Sequence, residues 1–115
     1  MKISLAILFL LVVASHGRVA GQTAATGALS GSVVDPTGAR IPAVSGAITD
    51  QTQGARRETE TNAAGEYNIP LLRPGSYTLE LVKDGFEARL LTDVVIRIGE
   101  TVTLETPLAL GSAAE

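Results

Sequence analysis

Turn-forming residues recur along most of this chain at intervals of roughly ten residues, and this spacing limits the possible folds more than any other feature of the sequence. The turn segments are Asp35-Pro36-Thr37-Gly38, Asp50-Gln51-Thr52-Gln53-Gly54, Asn62-Ala63-Ala64-Gly65, Arg73-Pro74-Gly75, Asp84-Gly85 and Gly99-Glu100. Proline presets φ, glycine accepts positive φ, and Asp or Asn accepts local backbone hydrogen bonds, so each segment favours a chain reversal. Reversals at this spacing predict short strands in an antiparallel sandwich or barrel.

Between the turns, apolar residues alternate with polar ones at period two, which is typical of strands with one buried face and one wet face. The cleanest alternation is Tyr77, Leu79 and Leu81 against Thr78 and Glu80. The other predicted inward-facing sets are Leu29/Gly31/Val33, Val44/Gly46/Ile48, Tyr67/Ile69, Val94/Ile96/Ile98 and Val102/Leu104. No helix is predicted after residue 22, so the body of the chain is expected to be all-β.

Residues 55–61 read Ala-Arg-Arg-Glu-Thr-Glu-Thr and have no apolar face. Such a segment is either an edge strand protected by its charges or a loop. The edge strand is favoured here, and its exposed edge is a candidate for strand addition by another protein.

The first residues carry a targeting pattern. Lys2 precedes twelve residues, 3–14, of which Ser4 is the single polar one, and small residues follow. This pattern predicts a signal-peptide helix over residues 1–21, cut after Gly21, with Ser15 and Gln22 as alternative cleavage positions. A membrane-spanning helix is the rival interpretation, but twelve residues rise about 18 Å, short of the roughly 30 Å hydrocarbon core. Export is therefore predicted, with a flexible leader over residues 22–27.

The composition excludes several functions. The chain of 115 residues has no Cys, one His and a formal net charge of −3. Disulfide frameworks, thiol catalysis and cysteine-based metal sites are ruled out, and one His leaves little basis for a triad or a histidine metal site. Removing Lys2 and Arg18 with the signal peptide leaves seven cations against twelve acids, a net charge of −5. No nucleic-acid partner is expected from such a balance.

The aromatic residues beyond the signal peptide are assigned to the core. Tyr67, Tyr77 and Phe86 are the large apolar groups available there, and each tyrosine is expected to be buried with its hydroxyl hydrogen-bonded. A sugar-stacking platform is the alternative for the two tyrosines. The composition therefore offers no obvious surplus aromatic for ligand stacking.

Candidate chemical groups are few, and each has a simpler explanation. Lys83 is the candidate base for a Ser or Thr nucleophile, but it reads more simply as a solvated strand end. The paired carboxylates Glu58/Glu60 and Asp84/Glu87 are candidates for weak cation binding, although the spacing of a calcium loop is absent. No catalytic, cofactor-binding or metal-binding residue is assigned, and no enzyme activity is expected.

Several motifs, taken in order, resemble the carboxypeptidase regulatory-like domain family. The matching segments are Leu29–Ala39, Ile41-Pro42, Thr61–Tyr67, Leu72–Leu79 and Lys83–Phe86. The resemblance covers about residues 27–110 and implies a transthyretin-like (prealbumin-like) antiparallel Greek-key β-sandwich of about seven strands. It sets the domain at residues 28–110 and a C-terminal tail at 111–115. Gly46 departs from the family pattern, which predicts a weakened second strand or a bulge. Asn62 replaces a common Asp.

The resemblance also implies a role. Members of this family look like non-catalytic accessory modules, including ones at the N-termini of TonB-dependent outer-membrane receptors of Gram-negative bacteria. The implied function is an exported interaction module of the cell envelope, in the periplasm or at the outer membrane or cell surface, from either a truncated receptor gene or a stand-alone version. Its partner would be an envelope protein or a downstream receptor domain. The alternative is a carbohydrate-binding module with a polysaccharide partner.

Overall fold

The computed structural model describes residues 25–111, and within this range the chain forms seven strands and no helix. The strands are β1 (Gly27–Val34), β2 (Ser45–Asp50), β3 (Arg56–Glu60), β4 (Glu66–Leu72), β5 (Gly75–Val82), β6 (Arg89–Ile96) and β7 (Thr101–Pro107). The predicted signal peptide, residues 1–21, lies outside the described residues, as do 22–24 of the leader and 112–115 of the tail. Between residues 25 and 111 there is no helix of the length and hydropathy needed to cross a membrane.

The seven strands form two sheets, so the predicted all-β sandwich is confirmed. One sheet has the order β4-β1-β7 and the other the order β3-β2-β5-β6. The β2–β3 hairpin lies in the second sheet, and β4 then crosses back to pair with β1, which is a Greek-key connection. One pair departs from the predicted antiparallel pattern, because β1 and β7 run parallel, from Ala28↔Thr101 to Val34↔Pro107. Parallel neighbours need a long connection, and here the five intervening strands supply it.

The core lies between the two sheets and contains most of the residues that the period-two pattern selected, together with Ile41, Leu72 and Leu108, which the pattern did not select. Leu29, Ile48, Ile69, Leu79 and Leu81 are fully buried. Phe86, Leu91, Val102 and Leu104 are partly buried and pack against this core. The strands β1 and β5 bury alternate side chains between the sheets, and removal of the apolar core surface from water is the main driving force for the fold.

The turns that begin at Asp35 and Asn62 are organised by side-chain acceptors, as their sequences predicted. The Asp35 Oδ1 atom accepts the backbone N–H groups of Thr37 at 2.8 Å and Ala39 at 3.0 Å. The Thr37 hydroxyl also donates to this carboxylate and, with the backbone donors, lowers the pKa of Asp35. Asn62 Oδ1 accepts the N–H groups of Ala64 and Glu66 at 2.9 and 3.0 Å, so the amide makes the local bonds expected of an Asp at this position.

Three expectations about strand detail are corrected. Ile98 is 60% exposed because β6 ends at Ile96, and Ile98 lies in the turn before β7. Gly46 marks no bulge: it continues the regular β2 register between Thr59 and Leu81. The irregularities lie instead at the start of β1 and at the β5–β6 pairing beside Tyr77. Gly27, placed in the predicted leader, belongs to β1.

Gly31 marks a close approach between the strands of the three-stranded sheet. A Cβ atom at this position would lie 2.5 Å from the Leu104 carbonyl oxygen and 2.5 Å from the Tyr67 hydroxyl oxygen. The end of the Tyr67 ring therefore occupies the space that a side chain at position 31 would need. Only glycine at position 31 lets β4 place a tyrosine across β1.

Replacing Gly31 with alanine is expected to lower the free energy of unfolding by about 1–3 kcal/mol, because the new methyl group is overpacked against a backbone oxygen. Urea unfolding at neutral pH measures this. Gly46→Ala is the matched control, since its Cβ would meet flexible methyl groups of Thr59 and Leu81 at 3.1 and 3.3 Å. Equal losses in the two variants would contradict the argument.

Candidate functional site

The strand β3 lies at one edge of the four-stranded sheet, which confirms the prediction of an edge strand in residues 55–61. It pairs with β2 from Ser45↔Glu60 to Thr49↔Arg56, and no strand of residues 25–111 pairs with its other edge. Every residue of β3 except Thr59 is exposed. An open edge lined by charged side chains resists self-association while leaving its main-chain groups available.

The hydrogen-bond pattern identifies which groups of β3 point away from the sheet. Thr61 N–H donates to the Val44 carbonyl at 3.0 Å, and Asp50 N–H donates to the Ala55 carbonyl at 2.8 Å. Bonded pairs alternate along an antiparallel ladder, so the odd-numbered residues of this segment bond to β2. The N–H and C=O groups of Arg56, Glu58 and Glu60 therefore face the open edge.

A shallow groove runs beside β3 on the outer face of the four-stranded sheet. We call it the outer groove; it encloses about 250 Å³ and is lined by Ser45, Gly46, Ala47, Arg56, Glu58, Thr59, Glu60, Glu80 and Val82. The small side chains of β2 form its floor. Ala47 is buried although it faces outward, because it lies between its longer cross-strand neighbours Glu58 and Glu80.

The carboxylates of the outer groove include one of the predicted pairs. Glu58 and Glu60 lie two residues apart on one face of β3, as expected, and Glu80 faces Glu58 across Ala47. Glu58 pairs with Arg56 at 3.2 Å, and both side chains are exposed. Within residues 25–111 no group of three or more His, Cys, Asp or Glu side chains is arranged to hold a metal ion.

The other predicted candidates lie around the β5–β6 connection, apart from the residues of β3. Asp84 is in the turn, Lys83 precedes it half-buried, and the Glu87 N–H donates to the Ala109 carbonyl at 2.8 Å. Phe86 forms an isolated bridge with Leu110. The second carboxylate pair, Asp84/Glu87, therefore lies where residues 109–111 pack against this turn.

Three large apolar side chains on the outer face were not predicted from the sequence. Val82, Leu90 and Val95 are exposed on β5 and β6. Leu90 pairs with Glu80 and Val95 with Ser76, which places both on the outer face. The doublet Leu90-Leu91 breaks the period-two pattern and is the sequence feature that indicates an outward-facing leucine. These side chains make the part of this face formed by β5 and β6 apolar, beside the charged outer groove.

Both tyrosines predicted for the core are buried, but their hydroxyl groups differ. The Tyr77 hydroxyl donates to the Arg73 carbonyl at 2.7 Å, as predicted. The Tyr67 hydroxyl, in a residue 5% exposed, has no hydrogen-bond partner among the described residues, so this part of the prediction is wrong. Burial raises the pKa of Tyr67 to about 12. Neither ring is exposed on the outer surface of the sandwich as a platform for sugar stacking.

These features define a class: a two-sheet β-sandwich module with an exposed edge strand and a partly apolar outer face. Residues 28–109 match the model of the carboxypeptidase regulatory-like domain. The chain belongs to this family, and the resemblance inferred from its motifs is confirmed.

The comparisons with individual proteins agree with this assignment. The TonB-dependent transporter Oar of Myxococcus xanthus is 31% identical over 111 residues, covering 90% of this chain. The chain matches 10% of that transporter's length. Among solved structures, the minor pilin GBS52 of Streptococcus agalactiae superposes with a TM-score of 0.58 at 19% identity, over 79% of this chain and 47% of the pilin. A putative carbohydrate binding protein from Bacteroides uniformis gives 0.59 at 15% identity, over 70% and 40%. The similarity to these two structures establishes the fold.

The two tyrosines are expected to respond oppositely to removal of the hydroxyl group. Tyr67→Phe should raise the free energy of unfolding by about 1 kcal/mol, because an unpaired buried hydroxyl is lost, while Tyr77→Phe should lower it by about as much. Urea unfolding of the two variants beside the unchanged chain measures the difference. A loss of stability in Tyr67→Phe would contradict the assignment.

The raised pKa of Tyr67 predicts a pH dependence. The unfolded chain loses the tyrosine proton near pH 10, whereas the folded chain keeps it to about pH 12. Between these values the unfolded state binds fewer protons, so stability should fall as the pH rises. Between pH 9 and pH 12, the urea midpoint should fall less in Tyr67→Phe than in the unchanged chain. A smaller fall should remain in the variant, because burial also raises the pKa of Tyr77. Equal slopes in the two proteins would refute this.

Proposed function

We propose that this chain is an exported, non-catalytic accessory module of a bacterial cell envelope that binds another envelope protein through β3. The observation that carries the proposal is the open edge of β3, where Arg56, Glu58 and Glu60 direct their main-chain groups outward. An extended segment of a partner can add to such an edge through main-chain hydrogen bonds. The exposed charged side chains of the strand would add selectivity for the partner.

The relationship to a TonB-dependent transporter supports a place beside such a receptor. The matched region is a small part of that protein, as expected for an accessory domain. We therefore propose that the partner is a downstream domain of a receptor, encoded with this module or separately, and that the module works in the periplasm or at the outer membrane. Nothing in this role requires catalysis.

Export is the first part of this proposal to test. The signal-peptide pattern over residues 1–21 predicts a mature chain beginning at Gln22. Mass spectrometry of the chain recovered from the periplasm of a Gram-negative host should give the mass of residues 22–115. Recovery of the uncut chain from the cytoplasm would count against export.

Strand addition is tested by proline at two adjacent positions of β3. Glu58→Pro removes an N–H group that faces the open edge, so the fold should persist, as proline is tolerated on the open side of an edge strand. Binding to the plug-and-barrel portion of a related TonB-dependent receptor, measured by calorimetry, should be lost. Glu58→Gln controls for the charge and should retain most of the binding.

Thr59→Pro is the matched variant, because its N–H group lies on the β2 side of the strand. It should destabilise the sheet measurably, since a ladder hydrogen bond is lost. If Glu58→Pro binds the receptor portion as tightly as the unchanged chain, the edge of β3 is not the docking site. If the unchanged chain fails to bind, the receptor proposal fails.

A carbohydrate-binding function is the second candidate, motivated by the similar fold of the Bacteroides uniformis protein. Sugar sites of this kind stack exposed aromatic rings on the ligand, whereas Tyr67 and Tyr77 are buried. We therefore expect no change in tyrosine fluorescence when the purified chain is titrated with soluble glucans. A saturable change would favour the carbohydrate-binding function over the proposed one.

A further inference from the structure

A second cavity lies at one end of the sandwich, where the edge strands β3 and β4 of the two sheets separate. It encloses about 300 Å³ and its inner wall is formed by Ile48, Leu72 and the ring of Tyr77. Ligand sites are characteristically concave and mostly apolar, with a few polar groups at defined positions. We call this cavity the end pocket. It shares Arg57 with β3 but uses none of the main-chain groups that face the open edge of that strand.

Two arginines line the end pocket. Arg57 donates from Nη1 to the carbonyl oxygens of Pro70 and Leu71, at 2.5 and 3.2 Å, and so bridges β3 to β4. Arg73 Nη1 makes a long contact with Gln53 Oε1 at 3.4 Å. In residues 25–111 the ion pairs are Arg40–Glu66 and Arg56–Glu58, so neither pocket arginine is paired with a carboxylate of this part of the chain.

Asp50 is the acid of the end pocket, and its carboxylate is already engaged. Its Oδ1 atom accepts the backbone N–H groups of Thr52 and Gln53 at 2.8 and 3.0 Å. Asp50, Arg57, Arg73 and Tyr77 all line this one cavity. Two cations and one acid give the pocket a formal charge of +1, which suits a ligand with a single negative charge.

Leu71 lines the end pocket with an exposed apolar side chain and an unfavourable backbone conformation. Its side chain is 72% exposed, and its backbone has φ = 57°, in the left-handed region that non-glycine residues rarely adopt. An exposed leucine beside an apolar cavity adds to the surface that an apolar ligand can cover. One of the two carbonyl groups that Arg57 binds belongs to Leu71 itself, and the other belongs to the preceding Pro70.

We propose that the end pocket binds small amphiphilic monocarboxylates, with an alkyl or aryl chain against Ile48, Leu72 and Tyr77 and the carboxylate on Arg73. The planar guanidinium group matches a carboxylate with two parallel hydrogen bonds. Arg57 keeps free N–H groups beyond those bound to β4 and adds positive charge beside the same position. The apolar interior of the end pocket favours the alkyl or aryl chain, and its formal charge of +1 favours the single carboxylate.

The binding test uses the purified chain and NMR. Hexanoate should cause saturable shifts in the backbone amide signals of residues 71–73 and 77, and hexanamide, which has the same chain length and no charge, should bind at least about tenfold more weakly. Acetate, which lacks the apolar chain, should also bind at least about tenfold more weakly. Shifts that fail to saturate, or equal binding of acetate and hexanoate, would overturn the proposal.

Two variants locate the site. Arg73→Gln should weaken hexanoate binding by about tenfold, the effect of losing one charge-assisted pair. Arg40→Gln, an exposed arginine outside the pocket, is the matched control and should bind as the unchanged chain does. Unaltered binding in Arg73→Gln, or an equal loss in Arg40→Gln, would refute the assignment. Should Arg73→Gln fail to fold, the comparison of hexanoate, hexanamide and acetate on the unchanged chain still decides the question.

Discussion

The crossing of the Tyr67 ring over Gly31 is the contact on which the three-stranded sheet depends. Gly31 lies between β4 and β7, opposite Tyr67 on one side and Leu104 on the other. Any side chain at position 31 would collide with both neighbours. The glycine thus fixes the register of three strands at once, because a shift by one residue would place Ser30 or Ser32 under the ring. The cost is a tyrosine hydroxyl buried without a hydrogen bond.

The sequence predicts much of this fold because strands and turns depend on neighbouring residues. The period-two sets Leu29/Gly31/Val33 and Tyr77/Leu79/Leu81 identify their buried faces correctly, and Asn62 forms the turn expected of it. Three features could not be read from local pattern. The parallel pairing of β1 with β7 depends on the complete path of the chain. The exposure of Ile98 depends on where β6 ends. The unpaired Tyr67 hydroxyl depends on what surrounds the ring after packing.

The open edge of β3 and the end pocket also differ in how far the sequence predicts them. The open edge of β3 was predictable because Arg56, Glu58 and Glu60 leave the strand without an apolar face. The end pocket was not, because Ile48, Arg57 and Leu72 come from different strands and meet only where the two sheets separate. Arg57 connects the two surfaces. It belongs to the charged edge strand by sequence, yet its guanidinium group joins that strand to the opposite sheet.

The parallel pairing of β1 and β7 has a mechanical consequence. Tension applied between the start of β1 and the end of β7 pulls these neighbouring strands in opposite directions along their length. The ladder from Ala28↔Thr101 to Val34↔Pro107 is then loaded in shear, so its hydrogen bonds share the force instead of opening one after another. A module with this arrangement can transmit a pull between its two ends without being unzipped from either one.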